Sequence, residues 1–359
     1  MTFKILKAVT HPNVAKKQHL VPRVYMKKWS YNEKDSIWII DKYNLDKGIQ
    51  SKNINNINFK TGFHDIKAGD VFVPDEALED LFGFMKEYSV TCEGITLKTL
   101  RDLKNNYFNY DKWIITDYEG NIATDHIKNE FKRVIEQSRY SFIETEWCYQ
   151  YENGWNDYIE TLEFKVRCNV FATLYNLPKD DRKQLMEYIL IYDFRNIHGN
   201  LLLNNLIDKC LPKEIADMEI SKEYKTHSFF NTVEDEIKHG ARIKAYYEYL
   251  KNKNGNIALM IDKYLESFGI IIYLTTKSFP FVTSEAPSMV ITKENGFIEH
   301  IFVATPTMLI STFKTDKKEH YIRKYLSHKE VNKYNKYIAK HADFIITSKS
   351  DLNIKELYQ

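Results

Sequence analysis

Cysteine, proline and glycine are all scarce, at 4, 8 and 12 in 359 residues. That scarcity excludes collagen-like and low-complexity chains. The four cysteines (Cys92, Cys148, Cys168 and Cys210) are too few for a disulfide framework in a chain this long, and with no C-x-x-C pair they argue against a cysteine-built zinc site. Long apolar runs are also missing. The longest, Gly269 to Leu274, falls far below the roughly 20 residues of a membrane helix, and the first residues lack the apolar core of a secretory signal. A cytoplasmic protein with free thiols and no membrane partner is expected. Net charge is nearly absent as well: 51 Lys+Arg against 49 Asp+Glu leave +2, so no strong whole-molecule field steers partners. Finally, there is no G-x-x-x-x-G-K-[ST], G-x-G-x-x-G, H-E-x-x-H or G-x-S-x-G. These absences argue against P-loop hydrolysis, dinucleotide redox chemistry, zincin proteolysis and the α/β-hydrolase mechanism.

What is present is a globular composition, 43% hydrophobic and 14% aromatic, with charge segregated behind the neutral total. Residues 1–28 carry +7, 29–313 carry −10, 314–340 carry +6 and 341–359 carry −1. Where basic ends meet, Lys16, Lys17, Arg23, Arg323 and Lys324 would contact phosphates while Tyr321, Tyr325, Tyr334 and Tyr337 stack on bases. The plain alternative is solvated helix faces.

Along the chain, Ser36–Tyr43 reads as a strand, and a shorter strand falls near Asn58–His64. Helical periodicity then dominates from Asp75 to about residue 253, with helices starting near Asp75, Asp125, Asp157, Pro178 and Thr232. From Ile270 the pattern turns to short strands: Ile270–Thr275, Phe281–Thr283, Met289–Ile291, Ile298–Ala304 and Met308–Phe313. A helix over Lys329–His341 and a strand over Asp343–Thr347 close the chain. The expectation is an α+β fold with a central helical region and a mixed or antiparallel sheet built from N- and C-terminal segments. It would form one domain over 1–359, in which 18–70 hold the first motif and strands, 75–255 the helices and 268–347 the β-rich part.

Three stretches offer chemistry. In Gln18-His-Leu-Val-Pro22, His19 suits a general acid/base and Gln18 a substrate- or water-orienting role; the alternative is a structural His capping a helix. In Tyr192-Asp-Phe-Arg-Asn-Ile-His198, Arg195 suits a phosphate or carboxylate clamp with His198 beside it; the alternative is helix C-capping. In Phe281-Val-Thr-Ser-Glu-Ala-Pro287, Ser284 and Glu285 sit at a strand edge, where Glu285 would bind a metal, act as a base or pair with Arg195. There the hydroxyls of Thr283 and Ser284 also suit turn capping. Glu236-Ile-Lys-His239 is a single Glu-x-x-His, short of what a di-iron bundle needs.

Together these stretches resemble the bacterial domain-of-unknown-function 4238 family. Its opening Q-H-x-[VI]-P-x-x-Y-L-x-x-F is matched by Gln18, His19, Pro22, Tyr25, Met26 and Trp29. Of its R-x-P-x-x-R only Arg195 aligns. Its T-S-D-x-P corresponds to Thr283, Ser284, Glu285 and Pro287 with Glu for Asp, and a late asparagine corresponds to Asn335 or Asn332. The resemblance implies a single intracellular bacterial domain and brings no established reaction. The leading expectation is a nuclease-like enzyme on nucleic acid or another phosphate-containing substrate, of the kind found in toxin or phage-defence settings. His19 would be its acid/base, Arg195 its clamp and Glu285 its base or metal ligand, with the cofactor open and a divalent metal among the options. The alternatives are a non-catalytic nucleic-acid- or protein-binding module and a small-molecule hydrolase or transferase.

Overall fold

A computed structural model describes residues 17–66, 73, 75–168, 174–196, 208–209, 211–215, 218–220, 230–293, 295–316 and 320–358. The fold is α+β. It divides into two compact units, each assembled from three chain segments: a first unit of 1–18, 61–147 and 203–257, and a second of 19–60, 148–202 and 258–359.

The first unit joins a small sheet to helices. Its three antiparallel strands run in the order Ile95–Leu97, Ser89–Cys92, Trp113–Thr116. Cys92 pairs directly with Ile95, so the intervening Glu93 and Gly94 form a two-residue hairpin loop, and both take positive φ, +51° and +83°. That is the loop whose twist matches the strands, and it needs a residue such as glycine at the second position. The helices include Asp75–Phe82, Leu100–Asn106, Asp125–Trp147 and Val233–Asn252. Leu100–Asn106 begins in a capping box between Thr99 and Asp102. Leu78, Leu81, Phe82, Phe131, Ile135, Trp113 and Tyr246 are buried in this unit.

Among the described residues, two sheets lie wholly within the second unit. The larger runs Ser288–Thr292, Ile298–Thr305, Met308–Lys314, Phe268–Leu274, His320–Tyr325, Leu174–Asn176. It is antiparallel except where Phe268–Leu274 lies parallel to His320–Tyr325. The apolar run from Gly269 is an interior strand buried on both faces, Ile270, Ile272 and Leu274 on one and Tyr273 on the other, so it carries no polar alternation. The smaller sheet runs Thr283–Ser284, Phe344–Thr347, Ser36–Asp41, Gln50–Asn53, all antiparallel. Here Ile40 faces Ile345, so strands from the two ends of the chain share one sheet as the pattern predicts.

Several elements differ from the sequence reading. His320–Tyr325 is a strand, not the solvated helix face that is the plain alternative for this basic run, and its Tyr321 is buried. Tyr334 is buried as well, donating to a Glu299 carboxylate that also takes Tyr273 and Lys293. The helix Gly255–Ser267 and the sheet of Ser89–Thr116 have no counterpart in the predicted pattern.

An aromatic cluster forms the core of the second unit. The Tyr25 ring lies 4.8 Å from Trp29, 5.3 Å from Tyr192 and 6.0 Å from Phe302. Its hydroxyl donates to the Val303 carbonyl at 2.6 Å. With its one proton spent there, it accepts from the Thr283 hydroxyl, also at 2.6 Å. Burial holds this phenol well above its ordinary pKa. Y25F should lower stability by about 2 kcal/mol, the cost of stranding two buried polar groups. In urea unfolding, the double variant Y25F/T283V should cost less than the sum of the single changes.

Candidate functional site

Most residues singled out by sequence are placed in the second unit, each with partners of its own. His19 ends the strand Lys17–His19 and sets its ring 5.9 Å from Phe59. Arg195 closes the helix Lys179–Arg195 and pairs with Glu152; the side chains are 3% and 17% exposed. Ser284 is fully buried, its Oγ bonded to the amide and carbonyl of Ala286. Glu285 is 3% exposed and accepts from the amides of Asp343 at 2.8 Å and Phe344 at 3.2 Å. Asn335 accepts from the Val282 amide and donates to the Pro280 carbonyl. The basic residues are engaged too: Arg23 with Asn55, Arg323 with the Val166 carbonyl, Lys324 with Glu330. Lys16, His198 and the Lys17 side chain lie outside the described residues.

Near these residues is a serine–histidine contact. His300 Nε2 lies 2.7 Å from Ser288 Oγ, and Nδ1 lies 3.1 Å from the Tyr264 hydroxyl. Asp193 approaches the same Nε2 at 3.9 Å. In a nucleophilic triad the acid holds the nitrogen opposite the serine; here acid and serine share one nitrogen, and Ser288 is fully buried. The group is a buried hydrogen-bond chain.

The first unit gathers a different polar cluster, from four stretches of chain. Gln18 donates to Asp65 Oδ1 at 2.6 Å and accepts from the His64 amide at 2.7 Å. His64 Nδ1 meets Glu144 Oε1 at 2.6 Å. From the helix Val233–Asn252, Arg242 donates to His239 Nδ1 at 2.9 Å and to the Phe63 carbonyl at 3.3 Å, and lies over the Phe63 ring at 4.3 Å. Guanidinium only donates, so Nδ1 of His239 is the acceptor and its Nε2–H donates to the Asp65 carbonyl at 2.9 Å. His239 is thereby fixed as a neutral imidazole. Gln18, His64, Asp65, His239 and Arg242 are 1%, 1%, 1%, 4% and 8% exposed. Burial lowers the Arg242 pKa from its ordinary value, and among the described residues no carboxylate pairs with it. Its described acceptors are neutral. No group of three or more His, Cys, Asp or Glu is placed to hold a metal ion among the described residues.

The family described as Protein of unknown function (DUF4238) matches residues 17–351. The chain belongs to that family. No curated protein and no solved structure matches it. No helix among the described residues is long and apolar enough to cross a membrane. Of the residues carrying the DUF4238 resemblance, Tyr25 and Thr283 hydrogen-bond each other within the second unit, and Gln18 belongs to the polar cluster of the first. Sequence reasoning missed His64, Asp65, Glu144 and Arg242, and set His239 aside as half of a Glu-x-x-His. One signal was present: His239, Arg242 and Tyr246 recur at i, i+3, i+7 along one helix face.

Burial takes the His300 imidazole from 6.5 down to about 4. Between those values the unfolded chain binds a proton that the folded chain does not. Stability is therefore expected to fall as pH drops through that window, by about 3 kcal/mol. In urea titrations at neutral pH and at the foot of the window, H300Q should lose correspondingly less than the parent. An equal loss would assign the acid sensitivity to other groups.

Proposed function

We propose that this chain is an enzyme that acts by general acid–base chemistry on a phosphate-containing substrate, at the cluster of Gln18, His64, Glu144, His239 and Arg242. The observation that carries this reading is Arg242: a guanidinium, 92% buried by its 8% exposure, with only neutral acceptors among its described partners. A buried cation is costly unless an anion compensates it, and a phosphoryl group supplies both the charge and the oxygens that a guanidinium fork binds.

Each neighbour then has a role. Arg242 binds the phosphoryl oxygens and stabilises charge as it develops. Glu144 takes Nδ1 of His64, so proton transfer with substrate runs through Nε2. His239 is a positioning residue, locked between Arg242 and the Asp65 carbonyl. Gln18 fixes the His64 backbone and the Asp65 carboxylate. Nucleic acid is the first substrate class to test, in keeping with the +7 of residues 1–28.

A second reading rests on the near-complete burial of the same groups. In it the cluster fastens residues 63–65 to the helix Val233–Asn252, and the chain binds nucleic acid or protein without turnover.

The purified full chain would be assayed against RNA, single- and double-stranded DNA and phosphomonoesters. H64Q is expected to lower kcat/KM about 100-fold or more, and R242K, which keeps the charge but loses the fork, by a similar factor. Inorganic phosphate should raise the Tm of the parent and not that of R242K. Full turnover in H64Q overturns the assignment. Salt-sensitive nucleic-acid binding with no turnover of any substrate selects the second reading.

A further inference from the structure

The second unit contains a cavity of about 210 Å³ between the Ser278–Pro280 turn, the helix His328–His341 and the C-terminal stretch 349–357. None of the chemistry discussed above uses it. One wall is aromatic: Phe279 is 43% exposed and lies 4.2 Å from the His328 ring at 30°. Leu352 and Leu357 extend the apolar lining.

The polar lining sorts into fixed and unfixed groups. Lys349 Nζ donates to the Ser278 carbonyl at 2.7 Å. Asn332 Nδ2 reaches Glu356 Oε1 at 2.7 Å and His328 Nε2 at 3.2 Å. These contacts hold the rim in shape. Lys336 and Asp351 also line the cavity, yet neither makes a hydrogen bond or ion pair among the described residues.

Charge decides what such a space suits. Lys336 and Lys349 are balanced by Asp351 and Glu356, so the lining has no net charge. A phosphate dianion would face as many acids as bases, and a purely apolar molecule would leave the ionic groups without use. A ligand with one cation, one anion and a short apolar or planar body matches all three parts. We propose that this cavity binds a small zwitterion of the α-amino-acid class. The ligand carboxylate lies toward Lys336, its ammonium toward Asp351, and its side chain against Phe279, Leu352 and Leu357.

The test is isothermal titration of the full chain with L-phenylalanine, L-leucine and L-methionine, up to about 10 mM, where a Kd near 1 mM saturates the site. At least one should bind saturably. Its N-acetyl and amide derivatives, each lacking one charge, should bind about tenfold more weakly or worse, as should the parent ligand to K336M and to D351N. Both substituted positions are exposed, so the variants should keep the parent Tm. The proposal is overturned if none of the three amino acids binds. It is equally overturned if the blocked derivatives bind as well as the free ones, or if both variants bind like the parent.

Discussion

The second unit depends on what happens to one phenol. Tyr25 brings a hydroxyl into a cluster of aromatic rings, where an unsatisfied polar group is expensive. Both of its bonds are made to segments far along the chain, and to different sheets: the carbonyl of Val303 in the six-stranded sheet and the hydroxyl of Thr283 in the four-stranded one. With Thr283 fixed, its neighbours follow. Ser284 turns back on Ala286, Glu285 is drawn to the amides of Asp343 and Phe344, and Asn335 ties off Pro280 and Val282. In the Thr-Ser-Glu-x-Pro stretch, Thr283 is explained by the Tyr25 hydroxyl and Ser284 and Glu285 by the backbone groups they satisfy.

Two buried arginines mark the contrast between structure and chemistry. Arg195 and Glu152 neutralise each other, an arrangement that removing either partner would turn into an uncompensated charge. Arg242 meets a ring, a carbonyl and a neutral imidazole. The first is electrostatically complete within the chain, whereas the second meets only neutral acceptors among the described residues. On that difference the proposed phosphate-binding role falls to Arg242 rather than Arg195.

Much of the fold was legible because its signals are local. The β-branched run Ser36–Asp41, the Pro178 and Thr232 helix starts and the short apolar runs between turn residues from Met289 onward are each fixed by near neighbours. The strand His320–Tyr325 was not, because it lies inside the basic run 314–340 and only its place beside Phe268–Leu274 makes it a strand. The site was less legible. Gln18 was found because it sits in a motif, but its partners come from positions 64, 65, 144, 239 and 242, and no spacing rule connects them. Polar residues near one another in a motif turned out to be held apart by separate partners, while the cluster formed from residues that look unremarkable in sequence.

The interleaving of the chain also bears on its synthesis. Ser36–Asp41 pairs on one side with Gln50–Asn53, immediately available, and on the other with Phe344–Thr347, about 300 residues later. At roughly 5–20 residues per second, the ribosome needs some 15–60 s to deliver that partner. Throughout that interval a strand containing Ile37, Ile39 and Ile40 has an open edge. The nascent chain must therefore shield an apolar β-edge until Phe344–Thr347 emerges, and the second unit can close only then.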